Sequence, residues 1–154
     1  MRASELPEPL RGAEIKQPYR KANYNGMNWI TQIKRLAIYL RDGLACVYCG
    51  ESIEDGARLT LDHVLAVRKG GTNHESNVVT ACTRCNLAKG QRNLAEFCRA
   101  VAVYLNHDVR AVDVQKHVLA QTKLALPLLM AKEMIDRRGS AAKALAALRE
   151  GGDQ

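Results

Sequence analysis

The chain has 154 residues, of which 47% are hydrophobic and 25% charged, and it carries a net charge of +7 at pH 7. This composition excludes global disorder, and no apolar run approaches the roughly 20 residues of a membrane helix. The N-terminal MRASELPEPLRG lacks a signal peptide's apolar core, so a cytoplasmic protein without a membrane partner is expected.

Residues 1–27 hold Pro7, Pro9, Gly12, Pro18 and Gly26 without any sustained period, which predicts a flexible N-terminal arm. Arg11, Lys16, Arg20 and Lys21 suit it to tracking a DNA backbone, with Tyr19 and Tyr24 able to stack; a disordered tail accounts for the same residues. From Asn28 the period becomes helical, with Trp29, Ile30, Ile33, Leu36, Ala37 and Leu40 at three- and four-residue steps. Asn28 is the expected N-cap and Gly43 the stop, and Trp29 is assigned to core packing.

Two Cys-x-x-Cys pairs follow, Cys46/Cys49 and Cys82/Cys85. A redox function explains one such pair and not two, whereas a tetrahedral structural Zn²⁺ needs both. Four thiolates close the coordination sphere, so this zinc is assigned to folding only. Between the pairs, Arg58 to Val67 alternates apolar residues and predicts a strand that carries Asp62 and His63. Alternation places His63 on the apolar face with Leu59, Leu61, Leu65 and Val67, where a histidine is often a hydrogen-bonded core residue. A glycine-rich loop (68–76), a short strand over Val78–Thr80, and a knuckle passing into a helix over 82–91 complete the unit.

The ordered set Asp62-His63, Asn77, Cys82-x-x-Cys85-Asn86 and Lys89-Gly90, with Cys46-x-x-Cys49 upstream, resembles the HNH endonucleases with the ββα-metal active site. Asn86 stands at the motif's last position, where histidine is the alternative. The resemblance covers about a third of the chain. It implies a small zinc-stapled ββα core over residues 28–92 in an α+β fold. The implied activity is metal-dependent hydrolysis of DNA phosphodiester bonds to 5′-phosphate and 3′-hydroxyl ends.

In that scheme His63 takes a proton from water, and Asp62 and Asn86 offer oxygen ligands to a catalytic Mg²⁺ or Mn²⁺. Asn77 orients His63 by bonding the loop backbone; an Asx turn in Glu75-Ser76-Asn77 explains it equally. Adjacent strand residues face opposite ways, so a bulge or strand end is expected at Asp62-His63. Arg58, Arg68, Lys69, Arg84, Lys89 and Arg92 against Asp62 and Glu75 give this segment +4 of the net charge. Arg68, Lys69, Arg84, Lys89 and Arg92 are accordingly assigned to nucleic-acid contacts. His74 is expected to be a solvated loop residue. RNA remains open as the substrate, as does a non-catalytic zinc module that binds DNA or a protein partner.

Residues 93–154 predict a helical C-terminal extension: about 94–105, 109–124, a third helix opened by Pro127, and a last one over 141–148 after Gly139-Ser140. Cys98 lies with Leu94, Phe97, Val101 and Leu105 at helical spacing and is expected to be a buried core thiol. One ββα-metal site cuts one strand, so a double-strand break calls for two sequential cuts or a homodimer, for which these helices offer a surface.

Overall fold

The computed structural model describes residues 29–105 and 108–151. The elements run α1 (Gln32–Arg41), β1 (Leu59–His63), β2 (Val78–Cys82), α2 (Thr83–Lys89), α3 (Leu94–Leu105), α4 (Ala111–Thr122), α5 (Leu128–Arg138) and α6 (Ala141–Arg149). This is an α+β fold, with one antiparallel hairpin among six α-helices in the described residues. The expected N-terminal arm and the Asn28 cap lie outside the described residues. Thr31 caps α1 instead, its hydroxyl accepting from the Lys34 amide at 3.1 Å.

β1 and β2 pair in the register Leu59↔Cys82 through His63↔Val78. The strand expected to reach Val67 therefore ends at His63, and Leu65 is 45% exposed. Its partner is longer than expected, reaching Cys82, because every β2 residue is buried. A two-stranded ribbon leaves open edges, and here one is closed by specific groups. Arg41 Nη2 donates to the Val78 carbonyl (2.7 Å), the Thr80 amide donates to Asp42 Oδ2 (2.8 Å), and the Val47 amide donates to the Thr80 carbonyl (3.0 Å). Arg41 and Asp42 form a fully buried pair at 2.8 Å, and the C-terminus of α1 is thereby locked to β2.

Two apolar clusters sandwich the hairpin. One gathers Leu36, Ile38, Leu61 and Val78 with Ala131, Met134, Ala141 and Ala144 from α5 and α6. The other gathers Val47, Tyr48, Val79 and Ala81 with Phe97, Cys98, Val101, Val114 and Val118 from α3 and α4. Each fully buried aliphatic side chain contributes about 1.5–3 kcal/mol, whereas an isolated two-stranded ribbon is marginal in water. The C-terminal helices therefore supply much of the core that holds the hairpin. Cys98 is completely buried within it, as expected.

Candidate active site

The four cysteines of the two knuckles converge, with all four sulfurs within 4.8 Å of one another. Cys49 Sγ and Cys82 Sγ stand 3.8 Å apart, the edge of a tetrahedron whose metal–sulfur arms are about 2.3 Å. Crowding sets the thiols against each other: hydrogen bonding with Cys46 drives Cys49 down, while Cys46 is pushed up to about 12 by Cys49. Cys85 is pushed higher still by Cys46 and then Cys49. A bound cation that accepts four thiolates removes that conflict, so the donor set fits a closed tetrahedral metal site. Cys82 also caps α2, its Sγ accepting from the Cys85 amide at 3.3 Å. The clasp thus fixes where α2 begins.

At the end of β1 the two residues of the Asp-His pair face opposite ways. Asp62 is 5% exposed and turns inward. Tyr48, between the first two cysteines, donates to Asp62 Oδ2 at 2.5 Å. Lys89 Nζ lies 3.2 Å from the same oxygen and donates to the His63 carbonyl at 2.9 Å. Burial raises the Asp62 carboxyl above its ordinary value although Lys89 and Tyr48 pull it down. Burial likewise pushes the Tyr48 phenol up, with Asp62 adding to it.

His63 faces the other way, onto an open cleft of about 550 Å³ that is also lined by Trp29, Thr60, Arg68, Asn86 and Leu87. Its ring lies 4.7 Å from that of Trp29, centroid to centroid, and its Nε2 is 2.8 Å from Asn73 Oδ1. A carboxamide oxygen only accepts, so Nε2 is the donor in this contact. Asn86 also lines the cleft, and its Nδ2 donates to the Leu61 carbonyl at 3.1 Å. On α2, Asn86 and Lys89 are three residues apart, so both lie over β1. A positive charge therefore already stands against Asp62, one turn from the Asn86 carboxamide. Asn86 opens onto the cleft, whereas Asp62 is closed beneath β1 by Lys89 and Tyr48.

The loop between the strands is fastened by Asn77. Its Oδ1 accepts from the Leu65 amide (2.8 Å), and its Nδ2 donates to the carbonyls of Leu65 (3.0 Å) and Thr72 (2.9 Å). Gly71 packs against the same point, where a Cβ would stand 1.7 Å from the Leu65 carbonyl oxygen. Asn73, rather than Asn77, is hydrogen-bonded to His63, and sequence reasoning passed over it. Tyr48 was passed over as well; its one signal is a position inside CVYC, where a knuckle turns the intervening residue toward the core. Trp29, assigned to the core, is half-buried and forms part of the cleft wall.

Of the five basic residues assigned to nucleic acid, Lys89 is corrected. It is 1% exposed and spends its charge on Asp62, because its place on α2 points it under β1. Arg68, Lys69, Arg84 and Arg92 are exposed. Lys69 Nζ donates to the Gln91 carbonyl at 2.7 Å, closing the loop onto the end of α2. Arg84 lies over the Tyr104 ring at 5.1 Å and 3.6 Å from Glu51. His74 is an exposed loop residue whose Nδ1 accepts from the Ser76 amide at 3.1 Å.

Hairpin, following helix and four-sulfur clasp together make a ββα unit with a metal-ready clasp, the arrangement of the ββα-metal fold. Residues 46–92 match the family model described as HNH endonuclease. Two relatives bear the name CRISPR-associated endonuclease Cas9. That of Corynebacterium diphtheriae is 27% identical over 114 residues, 73% of this chain and 10% of that protein. That of Actinomyces naeslundii is 29% identical over 91 residues, 58% of this chain and 8% of that protein. The chain thus spans about a tenth of the length of the curated relatives it matches. The crystal structure of the Type II-C Cas9 enzyme from Actinomyces naeslundii superposes with a TM-score of 0.40 at 22% identity, covering 84% of this chain and 16% of that one. Among the described residues no helix is long and apolar enough to cross a membrane.

Proposed function

We propose that this chain is a metal-dependent DNA endonuclease leaving 5′-phosphate and 3′-hydroxyl ends. Zn²⁺ occupies the four-cysteine site, and Asp62 and Asn86 hold the catalytic Mg²⁺ or Mn²⁺. One observation carries the reading: His63 shares an open cleft with Asn86 and Arg68.

The catalytic cation, when bound, neutralises charge on the phosphate and on the leaving 3′ oxygen. The protein's own groups do the rest. His63 Nδ1 takes a proton from a water as that water's oxygen bonds to phosphorus and the bond to the 3′ oxygen breaks. Asn73 holds the tautomer, and Trp29 fixes the plane of the ring. Asn77 acts one step further back, by keeping the loop that carries Asn73 closed. Arg68, Lys69, Arg84 and Arg92 meet the backbone phosphates of the strand. A reducing cytoplasm suits the four thiolates. The arm (1–27), nuclease domain (28–92) and helical extension (93–154) are then divisions of labour, although core packing joins the last two.

The test is plasmid cleavage by zinc-loaded protein in Mg²⁺, Mn²⁺ or EDTA, beside His63→Ala, with end-mapping of the products. Nicking that needs the cation and His63 supports the reading. Nicking without linear product means single cuts, and linear product at first order in dimer indicates a homodimer. His63 is only 6% exposed beneath Trp29, which favours the alternative of a non-catalytic zinc module binding DNA or a protein. A folded wild type that binds a duplex and never nicks it decides for that alternative, and nicking of RNA alone would move the substrate.

A further inference from the structure

Lys89 is the largest fully buried side chain among the described residues, and nothing in the hydrolytic scheme uses it. Burying an ammonium costs several kcal/mol unless it is paired, and the surroundings pair it closely. Its Nζ is 3.2 and 3.5 Å from the two Asp62 oxygens and 2.9 Å from the His63 carbonyl. Tyr48 takes up Asp62 from the opposite side, from within the first knuckle. Without Lys89, a carboxylate that is 5% exposed would have only one phenol to offset its burial.

Resting on the cation assignment above, we infer that Lys89 is a built-in counter-cation: it holds Asp62 in the metal-free protein, and an incoming divalent cation must displace it. A lysine suits this exchange because its charge is a compact point on a flexible four-carbon stem. It also ends α2, immediately before Gly90, which has φ +53° and little packed against it. Neighbouring positive charges at Asp62 repel one another, and at a few ångströms that repulsion outweighs a factor of ten in binding even when screened. Lys89 therefore sets the cation concentration at which the site fills. It is a positioning residue in the resting protein and a competitor during loading.

Mn²⁺ binding to the zinc-loaded protein at pH 8, followed by the electron spin resonance of free Mn²⁺, tests this without any substrate. Lys89→Met should bind Mn²⁺ at least tenfold more tightly than wild type, and Lys89→Gln should do the same while keeping a donor near the His63 carbonyl. Wild-type protein gives an independent reading through amine acetylation mapped by mass spectrometry. Lys89 should be protected without Mn²⁺ and modified once Mn²⁺ saturates. Equal or weaker binding by the folded variants, or a Lys89 that stays protected with Mn²⁺ bound, overturns the counter-cation while leaving the nuclease reading intact. Failure of wild type and variants alike to bind Mn²⁺ sinks both.

Discussion

Asp62 and His63 are neighbours in sequence and inhabit different worlds. Beneath β1, Asp62, Tyr48 and Lys89 form a sealed ionic seam joined to the four-cysteine clasp. Above it, His63 looks onto a cleft held by Trp29, Asn73 and a loop tied with polar bonds. The seam is rigid because burial makes every broken pair expensive; the loop is rigid only while Asn77 and Gly71 keep it closed. One strand end thus lets the same dipeptide anchor a charge on one side and present an imidazole on the other.

That contrast predicts effects of very different size. Stripping the clasp with a chelator should be the most severe, because structural zinc binding is worth about 10–16 kcal/mol, more than a small domain's whole stability. Seam and cleft should then be lost together, read as collapse of the thermal transition and of Trp29 fluorescence. Retention of both would separate the clasp from the site. On the cleft side alone, His63→Ala should lower the cleavage rate about 10²–10⁴-fold, with a melting temperature only about a few degrees lower as the buried ring and its Asn73 bond are lost. A large loss of stability would instead make His63 a structural residue.

Gly71→Ala attacks the loop. Its Cβ would stand 1.7 Å from the Leu65 carbonyl oxygen, so the Asn77 fastening must open, at a cost of about 2–3 kcal/mol by denaturant titration. Faster hydrogen exchange should be confined to residues 64–77 while the seam stays protected. The smallest effect is at the loop's far end, where Lys34 reaches Glu75 at 3.1 Å, and its hydrogen bond holds that carboxyl below the ordinary 4.5. A depressed folded pKa stabilises above the unfolded value and ceases to do so as pH falls through the folded one. Glu75→Gln should therefore cost about 0.5 kcal/mol at pH 7, discounted for exposure, and the gap from wild type should close as pH falls through the lowered folded value.

The clasp, the hairpin, the helices and the chemical types at the site were legible in the sequence, because ligand spacing and apolar periodicity are local properties. His63 and Asn86 fall on one cleft, as a strand followed by a helix requires. The contacts of Asn73, Tyr48 and Lys89 were not legible. Lys89 reads as one more basic residue near a phosphate site, and only the docking of α2 across β1 turns it inward. Leu65 and Val67 continue the strand's alternation, yet the chain leaves the sheet at His63, where the Val64 amide bonds the Asn77 carbonyl as the loop begins.

By itself, then, the sequence determined which residue types are present and how they repeat: four sulfurs at knuckle spacing, an imidazole beside a carboxylate, a carboxamide on the following helix. Tertiary structure alone decided which of them meet and which see water. Periodicity assigns a residue to a face, but the environment of that face depends on what the distant helices α3 to α6 bring against it. Here they packed both faces of the hairpin, closing Asp62 in with its lysine and leaving beside His63, itself only 6% exposed, a cleft.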